Sequence, residues 1–260
     1  MRIVVKVGTS TLTHEGGRIH FRLVDKLCRV LSDLQNAGHQ PVLVTSGAIG
    51  MGVSKLNLAG RPKDMPGKQA AAAVGQCELM FTYDKLFGEY GCNVAQLLLT
   101  AEDIQDSRRS AHVKDALEQL LAWQVIPIIN ENDAVAVDEI GIHTTIGEND
   151  SLSAIVACMV QADLLVLLSD IDGLYTADPR QDANATLLTQ VEELTPEILA
   201  LAGGAGTTLG TGGMATKLKA AQIAGAQGID MVIANGQYPE KLYDLLDGKP
   251  VGTKFVGKRG

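Results

Sequence analysis

Short apolar runs rich in β-branched residues alternate along the chain with longer segments whose apolar positions recur every three to four residues. Ile3 to Val7 predicts a first strand. Over Phe21 to Ala37 the positions Leu23, Leu27, Val30, Leu31 and Leu34 repeat at helical spacing, and Gly38 supplies a stop. Strands are predicted again at Pro41 to Thr45, Val94 to Leu99, Val125 to Ile129, Leu164 to Leu168 and Met231 to Ala234. Helices are predicted over Lys68 to Tyr90, Ser110 to Trp123, Ser151 to Val160 and Met214 to Gln227. Pro127 inside its run marks that strand as an end or an edge, because proline cannot donate to a ladder. Gly52 to Pro66 reads as irregular. This alternation predicts an α/β fold, a mostly parallel central sheet sandwiched between helices, as one domain over residues 1–260. Ligands of such sheets sit beyond the carboxyl ends of the strands. Four polar or glycine-rich turns fall there: Gly8-Thr9-Ser10, Ser46-Gly47, Asn130 to Asp133 and Ser169-Asp170.

A net charge of −8 removes any general attraction to nucleic acid or an anionic membrane. Phosphates must then be handled by a few local cations and backbone amides. No run approaches the ~20 apolar residues that span a bilayer, and Lys6 interrupts the first apolar run, so no leader or membrane span is expected. Cys28, Cys77, Cys92 and Cys158 are widely spaced without a CxxC pair, the usage of reduced thiols in a cytoplasmic protein. The five histidines lack metal-ligand spacing, and GxSxG and GxxxxGK[ST] are both absent.

Four segments carry candidate chemistry. In Lys6-Val7-Gly8-Thr9-Ser10 a lysine at a strand end precedes a glycine that lets backbone approach a phosphate; a snorkelling lysine before an ordinary turn is the alternative. Thr45 to Gly52 runs a strand into a small-residue turn and a helix start, which suits an anion; capping by Ser46 explains the hydroxyl but not Gly47, Gly50 and Gly52 together. Asn130-Glu131-Asn132-Asp133 and Gly147-Glu148-Asn149-Asp150 combine amides and carboxylates able to bind an ammonium, a carboxylate or metal-bound water. Asn149 or Asp150 also reads as a helix cap. Gly210 to Lys217 meets a loose GxGxxA pattern, but Pro196 to Leu201 before it reads as helix rather than strand, so a mobile lid carrying Thr216 and Lys217 is expected instead of a dinucleotide fold. Two functions are compatible with these segments, a phosphoryl-transfer enzyme without a general base and a small-molecule sensor. Lysines beside glycine-rich turns at opposite ends of the chain favour the enzyme, since a sensor needs only one cation to hold an anion.

Taken together, KVGTSTLT from Lys6, VTSGAIGMG from Val44, INENDAVA from Ile129, GENDSLSA from Gly147, LLSDIDGLYTADPR from Leu167 and LGTGGMATKLKAA from Leu209 resemble the glutamate 5-kinase branch of the amino-acid kinase family. GLYTADPR is specific only to the wider superfamily; VTSGAIGMG with INENDAVA points to the branch. The resemblance implies phosphorylation of the γ-carboxylate of L-glutamate by ATP with Mg²⁺. It implies glutamate contacts at Ser46, Asp133 and Asn149 in the N-terminal part. It implies ATP contacts at Lys6, Gly8, Ser169, Asp170, Thr211, Gly212, Gly213, Met214, Ala215, Thr216 and Lys217, mostly in the C-terminal part. Lys6 and Lys217 are the expected catalytic cations, and Asp150 is expected to place them and the magnesium. No direct metal ligand is assigned. A homo-oligomer with feedback by proline is expected, without the PUA-type RNA-binding-like domain that many of these enzymes carry at the C-terminus.

Overall fold

The computed structural model describes residues 1–14, 17–135, 149–201 and 213–258. In chain order the strands are β1 (Arg2–Val7), β2 (Gln40–Val44), β3 (Val94–Leu99), β4 (Ile126–Glu131), β5 (Leu164–Ser169), β6 (Gln190–Val191), β7 (Asp230–Asn235) and β8 (Thr253–Phe255). The helices are α1 (Thr9–Leu12), α2 (Phe21–Asn36), α3 (Ala48–Lys55), α4 (Met65–Glu89), α5 (Ala101–Gln105), α6 (Ser107–Ala122), α7 (Asn149–Met159), α8 (Pro196–Ala200), α9 (Met214–Ala226) and α10 (Lys241–Leu246). The strands form one sheet in the order β3-β4-β2-β1-β5-β7-β8-β6. It is parallel except where β8 pairs antiparallel with β7. Strand order reverses at β1, which lies between β2 and β5, so the crevice beyond the carboxyl ends of these strands is where a ligand is expected.

Each face of the sheet carries its own core. Ile3, Val5 and Val7 of β1 join Leu27, Leu31, Tyr83 and Phe87 from α2 and α4 on one face. Val4 joins Leu152, Val156, Leu218 and Ala221 from α7 and α9 on the other. Side chains alternate along a strand. Lys6 therefore shares the face of Val4 and is directed toward α7 and α9. That one parity decides which helices can supply its partner.

The predicted elements recur within a few residues of their expected bounds, with one difference, over Gly52 to Pro66. Pro127 is the second residue of β4, at the strand's end as expected of a proline, and the strand itself is internal. The ladder between β2 and β4 begins only at Leu43 opposite Ile128, so the proline precedes it and its missing N–H removes nothing there. The segment expected to be irregular over Gly52 to Pro66 is helical as far as Lys55 and again from Met65, leaving residues 56–64 as the connection.

Helices α3 and α4 touch backbone to backbone. A Cβ on Gly75 would overlap the Ala48 carbonyl oxygen, and one on Gly52 would overlap that of Ala71. Gly75→Ala must push α4 away from α3. Overpacking of this kind is expected to cost about 3 kcal/mol. For a chain of this size that corresponds to a Tm lowered by ~6–12 °C in a thermal melt followed by circular dichroism. An unaltered Tm would mean that the two helices do not approach this closely.

Candidate active site

Asp150 stands in the first turn of α7 and is 1% exposed. Its helix face continues through Ser153, Ala154 and Ala157, all buried, at the three- and four-residue spacing of one inward stripe. Lys217 on α9 heads an equivalent stripe through Ala220, Ala221 and Ala224. Small alanines on both helices let them pack closely over the Val4 face of β1. Lys6 Nζ lies 2.6 Å from Asp150 Oδ1, and Lys217 Nζ lies 3.4 Å from Asp150 Oδ2. The Thr216 hydroxyl is 2.7 Å from Asp150 Oδ2 and 2.8 Å from the Gly213 carbonyl, so its single hydrogen ties the start of α9 to this cluster. Burial by itself would raise the Asp150 pKa. The two ammonium groups and the Thr216 hydroxyl outweigh it and hold the carboxyl below its ordinary value. The carboxylate is thus not a cap of its own helix; it is the counter-charge that brings residues 6 and 217 together.

Gly8, the residue before α1, is packed against the Lys6 ammonium: a Cβ there would sit 3.5 Å from Nζ. Gly47 adopts φ 97°, the left-handed region that favours glycine, and turns β2 directly into α3. Its Cα side faces Thr9, at 3.5 Å from a Cβ to Thr9 Cγ2, so the turns after β1 and β2 are adjacent. Gly47 occupies the position before α3 with no side-chain cap. Ser46 therefore does not cap that helix, and its hydroxyl meets Asn149 instead. Asn149 Nδ2 lies 2.8 Å from the Thr45 carbonyl, 2.7 Å from Ser46 Oγ and 3.1 Å from Asn130 Oδ1. Asn130 Nδ2 in turn donates to Gln76 Oε1 at 3.0 Å.

Asp133 follows β4 and is partly buried. Burial raises its pKa, with the Arg61 charge on the α3–α4 connection opposing. Ser169 ends β5, and its hydroxyl donates to Asp170 Oδ1 at 3.0 Å. Gly236 N donates to the Ser169 carbonyl at 2.7 Å, so the turn after β7 closes the same crevice. Of the α9 start, Gly213 and Ala215 are exposed, whereas Met214 packs against the core. Thr211 and Gly212 lie outside the described residues.

The crevice thus gathers two groups. Lys6, Gly8, Asp150, Thr216 and Lys217 form one; Ser46, Asn130, Asn149 and Gln76 form the other. Sequence reasoning had marked Asn130 only as part of its turn, and had passed over Gln76 and Gly236. A polar residue on the inward face of an alanine-rich helix was the available signal for Gln76.

The amino acid kinase family model matches residues 1–235. The glutamate 5-kinase of Clostridium perfringens is 53% identical over 259 residues, covering 100% of this chain and 96% of that one. The glutamate 5-kinase of Clostridium tetani is 55% identical over 97% of this chain and 93% of its own length. That of Caldanaerobacter subterraneus is 52% identical over 98% of this chain and 68% of its own length. Among solved structures, carbamate kinase from Giardia lamblia bound to AMP-PNP superposes with a TM-score of 0.70 at 17% identity, over 99% of this chain and 98% of that one. The isopentenyl phosphate kinase of T. acidophilum gives 0.66 at 18%, over 98% and 100%. At these identities the structural likeness concerns the fold alone.

Proposed function

This chain belongs to the amino acid kinase family and, within it, to the glutamate 5-kinases, and from that membership we infer how its own residues perform the reaction. The enzyme transfers a phosphoryl group from ATP to the γ-carboxylate of L-glutamate, forming L-glutamyl 5-phosphate, the first step of proline biosynthesis. The acceptor has a solution pKa of ~4.3 and is ionised at neutral pH, so no general base is required. The obstacle is electrostatic, an anion approaching a polyphosphate. Catalysis then consists of positioning and charge neutralisation.

The observation that carries the mechanism is Asp150 held between Lys6 and Lys217. In our reading the two ammonium groups face the transferring phosphoryl group from opposite sides, and Asp150 fixes them. As a carboxylate oxygen of glutamate attacks the γ-phosphorus, the bond to the β,γ-bridging oxygen breaks and ADP leaves. Gly8 and Gly47 admit close backbone approach to the phosphates. Ser169, Asp170 and the Gly213 to Lys217 segment flank the nucleotide from the C-terminal half, and Ser46, Asp133 and Asn149 hold glutamate in the N-terminal half. Mg²⁺ neutralises charge on the ATP phosphates when bound. Asp150 fits poorly as its direct ligand, since both carboxylate oxygens already face lysines, and no group of three His, Cys, Asp or Glu able to hold a metal occurs among the described residues. We therefore assign the ion to the phosphates and to water.

Asp133 suits the substrate's ammonium. Its carboxyl is strained by burial, and a bound cation relieves that penalty. Proline presents a carboxylate and a cationic nitrogen of the same kind, so we propose that it competes at Asp133 and Asn149. Asp133→Asn is expected to raise the glutamate KM at least ~10-fold, weaken inhibition by proline in parallel, and leave the ATP KM nearly constant. A collapse of ATP affinity with glutamate affinity intact would contradict the assignment. The activity itself is tested by trapping the acyl phosphate with hydroxylamine in the presence of glutamate, aspartate or acetylglutamate; hydroxamate should form with glutamate alone.

The four cysteines are free thiols, in keeping with the reducing cytoplasm, which we take as the site of action. No helix among the described residues is long and apolar enough to cross a membrane. We also propose a homo-oligomer, for which Phe81 and Trp123, 65% and 67% exposed, are candidate contact residues.

A further inference from the structure

Gln76 lies outside every segment that marked the site in the sequence, yet it is 8% exposed and ends a chain of side-chain hydrogen bonds that leads to Ser46. Its neighbour Gly75 explains how it gets there. The absent Cβ lets α4 press against the start of α3, and the next residue then reaches under the turn after β2.

The direction of each bond in this chain is determined. The Glu131 backbone N–H, which can only donate, lies 2.9 Å from Asn130 Oδ1. That fixes the buried Asn130 amide: Oδ1 accepts, and Nδ2 donates to Gln76 Oε1 at 3.0 Å. Because Asn130 Oδ1 is an acceptor, Asn149 must turn Nδ2 toward it. The Thr45 carbonyl, also an acceptor, imposes the same orientation. An amide nitrogen does not accept, so the hydrogen of Ser46 cannot point at Asn149 Nδ2, only 2.7 Å away. No acceptor for that hydrogen occurs among the described residues. The Ser46 hydroxyl is left as a donor directed out of the network.

We propose that Gln76 is a positioning residue for glutamate: as the acceptor for Asn130 it holds the donor–acceptor order of Asn130 and Asn149, and so presents the Ser46 hydroxyl as a hydrogen-bond donor to a carboxylate of the substrate. This rests on the reading of Ser46 and Asn149 as glutamate contacts. Without the Gln76 acceptor, the Asn130 amide loses one of the two bonds that keep it planted. A turned Asn130 takes its Oδ1 away from Asn149, which then keeps only the Thr45 carbonyl as a fixed acceptor, and the fraction of Asn149 that flips would offer Oδ1 to Ser46 and absorb the hydroxyl hydrogen meant for the ligand.

The test is steady-state kinetics on the full chain, with glutamate and ATP varied separately. Gln76→Met keeps most of the side-chain bulk but has no comparable acceptor. It is expected to raise the glutamate KM about 10-fold, with kcat within ~3-fold of the parent and the ATP KM constant. Gln76→Glu, which restores an acceptor oxygen, should recover most of the lost affinity. In a cycle with Ser46→Ala, where the hydroxyl is already gone, Gln76→Met should add little further. A raised glutamate KM in Ser46→Ala together with a parental value in Gln76→Met overturns the relay while leaving the substrate reading intact. Parental values in both sink the reading of Ser46 itself. If kcat and both KM values worsen together and Gln76→Glu does not rescue them, Gln76 serves only the fold and the proposal fails. Should Gln76→Met not fold by circular dichroism, Gln76→Leu takes its place, judged by the same split.

Discussion

Asp150→Asn is expected to lower kcat by about 1000-fold while the protein remains folded. The carboxylate is 1% exposed and lies against Lys6 at 2.6 Å and Lys217 at 3.4 Å. Asparagine keeps the shape and removes the charge. The two ammonium groups then lose the one carboxylate that both of them face, and with it the contact that holds them in a common geometry. Loss of a single preorganised electrostatic contact in such a site costs ~100- to 1000-fold in kcat, and here both lysines are released at once. Stability should fall too, by about 3–5 kcal/mol, the usual cost of removing one partner of a buried ion pair. The distinguishing result is a rescue. Inorganic phosphate should raise the Tm of Asp150→Asn by more than it raises that of the parent, because an anion can replace the missing counter-charge. If the variant keeps near-parental kcat, or if phosphate stabilises both proteins alike, Asp150 does not organise the two lysines.

Lys217→Ala is expected to lower kcat by ~100-fold or more, with a smaller change in either KM. Asp150 would then face Lys6 alone, and on the proposed assignment one of the two cations beside the transferring phosphoryl group would be gone. On the proposed assignment the binding of ATP draws on several other residues along the crevice, so ground-state affinity should change less than the rate. A fall in ATP affinity with kcat preserved would assign Lys217 to nucleotide binding. Near-normal values of both would remove it from the site. Lys217→Arg is informative beside it: the planar guanidinium cannot reproduce a compact ammonium against Asp150 Oδ2, so charge alone should restore only part of the rate.

Much of the architecture was readable because it is local. The apolar runs at residues 3–7 and 164–168 and the helical spacing at 23, 27, 30, 31 and 34 follow from strand and helix periods, which depend on near neighbours along the chain. The turns after Val7, Val44 and Ser169 were legible for the same reason, as was the rejection of a dinucleotide fold, since α8 indeed lies where a strand would be needed. Pro127 was legible as a strand end or an edge, and only the ladder decided between them: the pairing with β2 starts at Ile128, so the proline stands at the end of an internal strand. The antiparallel pairing of β8 with β7 depends likewise on a return of the chain that no local period encodes.

The site divides along the same line. The amino-acid sequence by itself determined which residue types were available, Lys6 beside Gly8, Ser46 beside Gly47, Asn149 beside Asp150, and Lys217 after a glycine-rich stretch, and through their order it identified the family. Only the tertiary structure decided that residues 6, 150 and 217 meet around one carboxylate. That convergence requires the parity of β1 to turn Lys6 toward α7 and α9, and alanine stripes on both helices to bring them close. It also decided that Asn149 bonds to Ser46 instead of capping its helix, and that Gln76 matters at all, because the hydrogen-bonding role of a buried amide is set by whichever fixed backbone donor or acceptor happens to lie across from it.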